Sequence, residues 1–193
     1  SFARRARDAL CGREARSVQL RFCVPMVALV GFQMGVGFAW GFIYLKQGLH
    51  ASGLVIGCSL TFQAAIEVPL FRISAWIIAA LGGVRTTLLT TSLAGALRMA
   101  GWWAAATPLA VLPFEAGHGW SFALAYSCMS LASDEFAAAG LQATVVGVLN
   151  SAMQVGQLAS TLGWGLVVEA IGLRASFGAA ALLFSAASLP LLP

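Results

Sequence analysis

Charge is what this sequence has least of. Only 9% of its 193 residues are Asp, Glu, Lys or Arg, against 60% hydrophobic, where a soluble domain carries roughly 25% charged residues. So few charges cannot cover a water-exposed surface of this size, which excludes an ordinary soluble globule. Histidine is scarce as well, with two residues, and the four cysteines (Cys11, Cys23, Cys58, Cys128) are scattered. With no CxxC and no His-rich spacing, neither a metal site nor a disulfide framework nor any cofactor is expected.

A formal charge of +4 does not amount to a nucleic-acid patch. Six of the eleven basic residues, Arg4, Arg5, Arg7, Arg13, Arg16 and Arg21, precede the first long apolar run. That is the pattern of a cytoplasmic segment under the positive-inside rule, and nucleic acid is not expected as a partner.

What the chain does have is apolar runs of the ~20 residues that cross a bilayer. Six spans are predicted, at about 22–45, 52–72 (with an extension to 79 left open), 86–104, 107–131, 140–168 and 174–192. Turn or charge signals separate them: Lys46-Gln47-Gly48, Gly82-Gly83, Thr107-Pro108, Ser133-Asp134-Glu135, and Glu169 to Arg174. The fold class predicted is therefore an all-α membrane protein, with residues 1–21 as a cytoplasmic arm and 22–193 as a six-helix bundle. With the arm inside, the arm arginines plus Arg72 and Arg85 face the cytoplasm, and only Lys46 and Arg174 lie outside. The chain begins at Ser1, and its last apolar run ends at Pro193, so a fragment of a longer protein is expected.

Polar residues inside these spans are the candidates for function. An ionisable group in a membrane helix costs at least ~2.5–3.5 kcal/mol unless it is paired or faces water. Arg98, Glu115 and His118 stand in that position. Measured from the turn near 101–107 at ~1.5 Å per residue, Arg98 lies about 9 Å deep, Glu115 about 12 Å and His118 about 16 Å. Arg98 and Glu115 thus share a depth on consecutive helices, and Glu115 and His118, three apart, share a face. Pro108 and Pro113 loosen that helix, while Trp102 and Trp103 suit an interfacial aromatic belt.

A second stripe, Gly147, Asn150, Gln154, Gln157 and Thr161, follows steps of three and four along span five. It reads either as glue between helices or as the lining of a polar cavity, and Gln33 in span one carries the same two readings. Glu67 and Pro69, in Glu67-Val68-Pro69, read as a structural bend or as part of a gate. Gly31/Gly35, Gly37/Gly41 and Gly53/Gly57, each four apart, predict close helix approach.

Three stretches carry a family likeness: GFQMGVGFAWGFIYLKQ (31–47), SLTFQAAIEVPLF (59–71) and VLPFEAGHGWSFA (111–123). With them the chain resembles, over residues 20–193, the C-terminal half of a major facilitator superfamily transporter of the lactose-permease-like branch. The likeness implies that residues 1–21 are the central loop of a twelve-helix carrier whose N-terminal six-helix half is absent from this sequence. It also implies a substrate held near the bilayer midplane and alternating access. SAWIIAALGGVR (74–85) resembles the superfamily's inside-gate loop and retains Gly82 and Arg85, with Ala79 and Ala80 where an acid and an arginine are expected. Arg98 and His118 match an arginine and a histidine of sugar permeases. Ser121 stands where those permeases have a carboxylate, and Glu115 supplies one three residues before the histidine instead.

The function expected is secondary active transport of a small polar solute, sugar- or nucleoside-like, with proton symport as one form. Substrate or proton binding falls to Arg98, Glu115, His118, Asn150, Gln154, Gln157 and Gln33; gating or structural roles fall to Glu67, Pro69, Gly82 and Arg85. The alternative is a transporter-like receptor or scaffold that moves nothing. An intramembrane serine protease would need an activated serine with a histidine base. Ser121 lies three residues beyond His118 on one span without a glycine-flanked elbow, so no enzyme is expected.

Overall fold

In the computed structural model, residues 15–137 and 140–188 are described. The arginine-rich arm expected over 1–21 lies outside them, except for its last residues, which open the first helix. Among the described residues the chain is helical with short turns and no strand. Helix α1 covers Ala15–Gly35 and runs on through two π-helical segments, Val36–Gly41 and Tyr44–Gly48. Next come α2 (Gly53–Ala80) and α3 (Val84–Ala104), then a 3-10 helix at Pro108–Glu115 that leads into α4 (Ala116–Phe136). The last two are α5 (Gln142–Ile171) and α6 (Leu173–Ser188).

Local chemistry sets these boundaries. Ser52 caps α2, its Oγ accepting from the Val55 N–H at 3.4 Å. Gly82 and Gly83, at φ 86° and 106°, make the turn into α3, a backbone region that only glycine enters freely. Gly172, at φ 82°, ends α5, and α6 leaves at 120° to it. Two expected breaks shift. Lys46-Gln47-Gly48 belongs to the second π segment. The Ser133-Asp134-Glu135 signal lies inside α4, because Asp134 and Glu135 project outward at the helix end while Ser133 Oγ donates back to the Ser130 carbonyl at 2.6 Å.

Helices α1, α3 and α4 pack against one another, and each carries one main satellite: α5 on α1, α6 on α3, and α2 on α4. Two apolar clusters are stacked along this bundle. One includes Leu20, Met26, Val30, Ile78, Leu88, Cys128 and Leu149; the other includes Tyr44, Met99, Trp102, Val111, Trp164, Phe177 and Phe184. Between them the same helices place Gln33, Ser92, Arg98, Glu115, His118 and Ser121, all buried.

By length and composition, Gln19–Gly48 and Gly53–Ala80 can each cross a membrane, and the bent pair α5–α6 makes a third candidate. Where six spans were expected, the described residues hold six helices, but only two candidate spans, or three if the bent pair is one span, qualify by that measure. Helix α3 is less apolar because it holds Thr87, Thr91, Ser92 and Arg98, all turned into the bundle. Helix α2 is the reverse, for only 11% of its most apolar window is buried against 56% for α1, so its apolar side faces outward.

Of the glycine pairs, Gly31 meets the backbone of Met153 and Gly35 meets Ser160 and Gln157, which confirms close approach of α1 and α5. Gly53 and Gly57 face open space instead, because among the described residues no helix covers that end of α2. The expected aromatic belt also divides: Trp103 is half exposed, whereas Trp102 turns inward and packs against Phe177.

Candidate functional site

The site grows from EAGHGW, residues 115–120. Two prolines, Pro108 and Pro113, keep the preceding segment in a 3-10 helix, and regular α-helix starts at Ala116. Glu115 therefore sits at the N-terminus of α4, where the helix dipole favours a negative charge. The two glycines on either side of His118 face different neighbours. A Cβ on Gly117 would lie 2.7 Å from the Ala94 carbonyl of α3, and one on Gly119 would lie 2.7 Å from Ile66 of α2. Their bare backbones let both helices approach α4 at the height of the charged groups.

That approach builds two rungs. In the first, Arg98 Nε and Nη2 donate to Glu115 Oε2 at 3.0 and 2.8 Å, and Gln63 Nε2 donates to the same oxygen at 2.6 Å. Arg98 is 3% exposed and Glu115 fully buried. A buried ion pair is tolerated only with good geometry and further hydrogen bonds, and Gln63 supplies one. The Arg98 guanidinium also lies 5.1 Å from the Trp102 ring, a cation–π contact. Its Nη1 occupies the space that a side chain on Gly37 would fill.

The second rung lies one turn along. His118 Nε2 is 3.3 Å from Glu67 Oε1, and Glu67 is 19% exposed, so this rung reaches the edge of the bundle. Phe38 packs edge-on to the imidazole at 5.0 Å and Phe122 stacks on it at 5.7 Å. Gln63 and Glu67, four apart on α2, thus meet Glu115 and His118, three apart on α4. Beside the rungs, Gln33 Nε2 donates to the Ser92 carbonyl at 2.9 Å, and Ser188 Oγ to Ser92 Oγ at 2.8 Å. A cavity of about 10 Å³ lies among Gln33, Gly95, Arg98, His118 and Ser121, room for about one water. Gln33 Oε1 and Glu115 Oε1 are buried without a hydrogen-bond partner among the described residues.

Arg98, Glu115, His118 and Gln33 are therefore brought together, and Glu67 joins them rather than standing apart beside Pro69. Ser121 lines the same small cavity but donates to the Thr91 carbonyl at 2.7 Å and to neither rung. Asn150, Gln154 and Gln157 are not brought in: Gln154 is exposed and the other two are half-buried. The side of α5 that α1 covers is Val145, Leu149, Met153, Gly156, Ser160 and Trp164, and the amides lie just outside that line. Pro69 is within α2, and Gly82 and Arg85 are at the far end of the bundle, where Arg85 stacks 4.8 Å over Phe22. Sequence reasoning missed Gln63. Its signal was the four-residue spacing to Glu67, matching the Glu115–His118 pair on another helix. Among the described residues no His, Cys, Asp and Glu cluster could hold a metal ion.

No curated protein and no solved structure matches the chain. The model of the MFS_1 like family matches residues 14–179, a stretch that carries both rungs and most of the bundle. By that match, the chain belongs to the MFS_1 like family, a major facilitator superfamily-like membrane domain of transporter type.

Proposed function

We propose that the chain is the second six-helix half of a secondary transporter that moves a small polar solute, sugar- or nucleoside-like, by alternating access. In this reading each of the six helices spans the bilayer and the N-terminal arm is cytoplasmic, as the basic residues favour. The finer placement, in the lactose-permease-like branch near major facilitator superfamily domain-containing protein 6, rests on the stretches 31–47, 59–71 and 111–123. One observation carries the reading: a charged, hydrogen-bonded layer interrupts the core between two apolar clusters at mid-bundle. A layer of that kind is costly in a membrane protein and marks a solute or proton path.

Within the layer the two rungs have different tasks. Glu115 accepts hydrogen bonds from Arg98 and Gln63 and so orients the arginine. His118 is the group that exchanges a proton in the symport form, because histidine is the side chain whose ordinary titration range lies nearest neutrality and Glu67 links it to the bundle edge. The charged groups around it are Glu67 of α2, 3.3 Å away, and the Arg98–Glu115 pair of the neighbouring rung. Solute enters when the absent half and this one part at the exposed side of α2 and the amide side of α5.

The test is uptake by the protein carrying both halves, measured over roughly pH 5 to 8. His118→Gln is expected to flatten the pH profile, and Glu115→Gln to reduce uptake at every pH. Wild-type uptake in both variants would refute the reading. The cavity of about 10 Å³ favours a second reading: the cluster is a static lock inside a transporter-like receptor or scaffold, in which case wild-type protein transports nothing.

A further inference from the structure

On the far side of α3 from the rungs, a groove of about 680 Å³ runs between α3 and α6. Ala96, Ala100, Gly178 and Ala179 form its floor, and Leu93, Leu97 and Leu182, all strongly exposed, form its rims. The groove extends from Trp103 to Leu93 on α3 and from Ala175 to Ser185 on α6. Each run covers ten helical rises, about 15 Å, or half of the ~30 Å hydrocarbon thickness of a bilayer. That is the depth occupied by the acyl chains of a single leaflet.

The mouth is not apolar. Arg174, exposed at the start of α6, donates from Nε to the Trp103 carbonyl at 2.9 Å. This bond fills one acceptor at the C-terminus of α3 and fixes the guanidinium at the top of the groove. Its two terminal nitrogens have no hydrogen bond among the described residues, and together they fit a phosphate. The positive end of the α6 dipole lies at the same mouth. Trp103, whose ring lies 3.2 Å from where a Cβ on Gly178 would stand, supplies an interfacial ring beside it.

We propose that this groove is a binding site for one phospholipid, with an acyl chain between α3 and α6 and its phosphate on Arg174. The site is separate from the polar rungs and does not depend on the transport reading; it requires only that the chain lies in a bilayer.

Native mass spectrometry of the intact protein, released from detergent with added dioleoylphosphatidylglycerol or dioleoylglycerol, tests it. Wild type is expected to retain one phospholipid and to hold dioleoylglycerol more weakly. Arg174→Gln, an exposed change that forfeits the bond to the Trp103 carbonyl but no buried apolar contact, is expected to weaken phospholipid retention by about tenfold or more, as loss of a hydrogen bond to a charged group does. Ala179→Trp fills the floor and is expected to abolish retention of both lipids. Equal retention by all three proteins would overturn the proposal. So would equal binding of the two lipids by wild type, or a dimer that Ala179→Trp dissociates, since the groove would then seat a second copy of the chain.

Discussion

Helices α4 and α5 both carry polar side chains at helical spacing, yet the two sets have opposite surroundings. On α4, Glu115 and His118 face α2 and α3 and are buried, each with a charged partner from another helix. On α5, Asn150, Gln154 and Gln157 lie beside the line that α1 covers, and their side chains make no hydrogen bond to the rungs. Charge accounts for part of the difference. An arginine or glutamate in a membrane helix has to find a partner or water, whereas an interhelical hydrogen bond from an uncharged amide is worth only about 0.6 kcal/mol on average. Amides are thus free to lie on a face left for something else, and the charged groups are not.

The largest expected effect follows from that asymmetry. Arg98→Leu leaves Glu115 buried without its cation, and breaking a buried pair from one side costs about 3–5 kcal/mol. Folded yield after purification should collapse, and Arg98→Leu combined with Glu115→Leu should recover much of it. If the single variant purifies as well as wild type, the buried set is no more demanding than the amides and the comparison fails.

Glycines on α5 sharpen it at smaller magnitude. A Cβ on Gly156 would press into the Ala28 carbonyl and the Phe32 amide, at the seam with α1, whereas one on Gly163 meets nothing within 4 Å. Overpacking of this kind costs about 1–3 kcal/mol, and an exposed helical glycine gains roughly 0.5–1 kcal/mol on becoming alanine. Gly156→Ala should therefore lower the temperature at which the detergent-solubilised protein aggregates, and Gly163→Ala should hold or raise it. Equal shifts in both would mean that α5 has no distinct packed and open sides.

Which parts of this were legible in the sequence follows the same division. The Arg98–Glu115 pair could be read because depth is arithmetic along a helix and a lone charge is too costly to leave in lipid. The number of helices was legible from apolar runs, and their turns from glycine and proline. Lateral packing was not, because it depends on which sides of different helices meet. Glu67 read as a bend beside Pro69, and Gln63 passed unnoticed, until α2 was seen to lie on α4 through Gly119. The amide stripe was correctly periodic but one position off the packed line. A stripe of Asn, Gln and Gly has a direction only relative to a neighbour, and Val145, Leu149, Met153 and Ser160 held the side toward α1.

The smallest effect on stability is expected at Gln154. It is exposed and its side chain makes no hydrogen bond among the described residues, so Gln154→Ala should change stability by no more than about 0.5 kcal/mol, as surface substitutions do. Labelling measures the same position more sharply. With cysteine at 150, 154 or 157 in the protein carrying both halves, a water-soluble thiol reagent distinguishes three environments. A solute cavity between the halves predicts labelling at all three positions, slowed when transported solute is present. A lipid-facing stripe predicts no labelling, since a charged reagent does not enter hydrocarbon, and no response to solute. A dry interface with the other half also predicts protection, but one that is lost when the halves are separated. Cysteine at 118 provides the internal reference, because the environment of His118 is already fixed by Glu67, Phe38 and Phe122. Labelling at 118 with protection at the three α5 positions would separate the amide stripe from the polar rungs, and solute contact would then rest on the rungs alone.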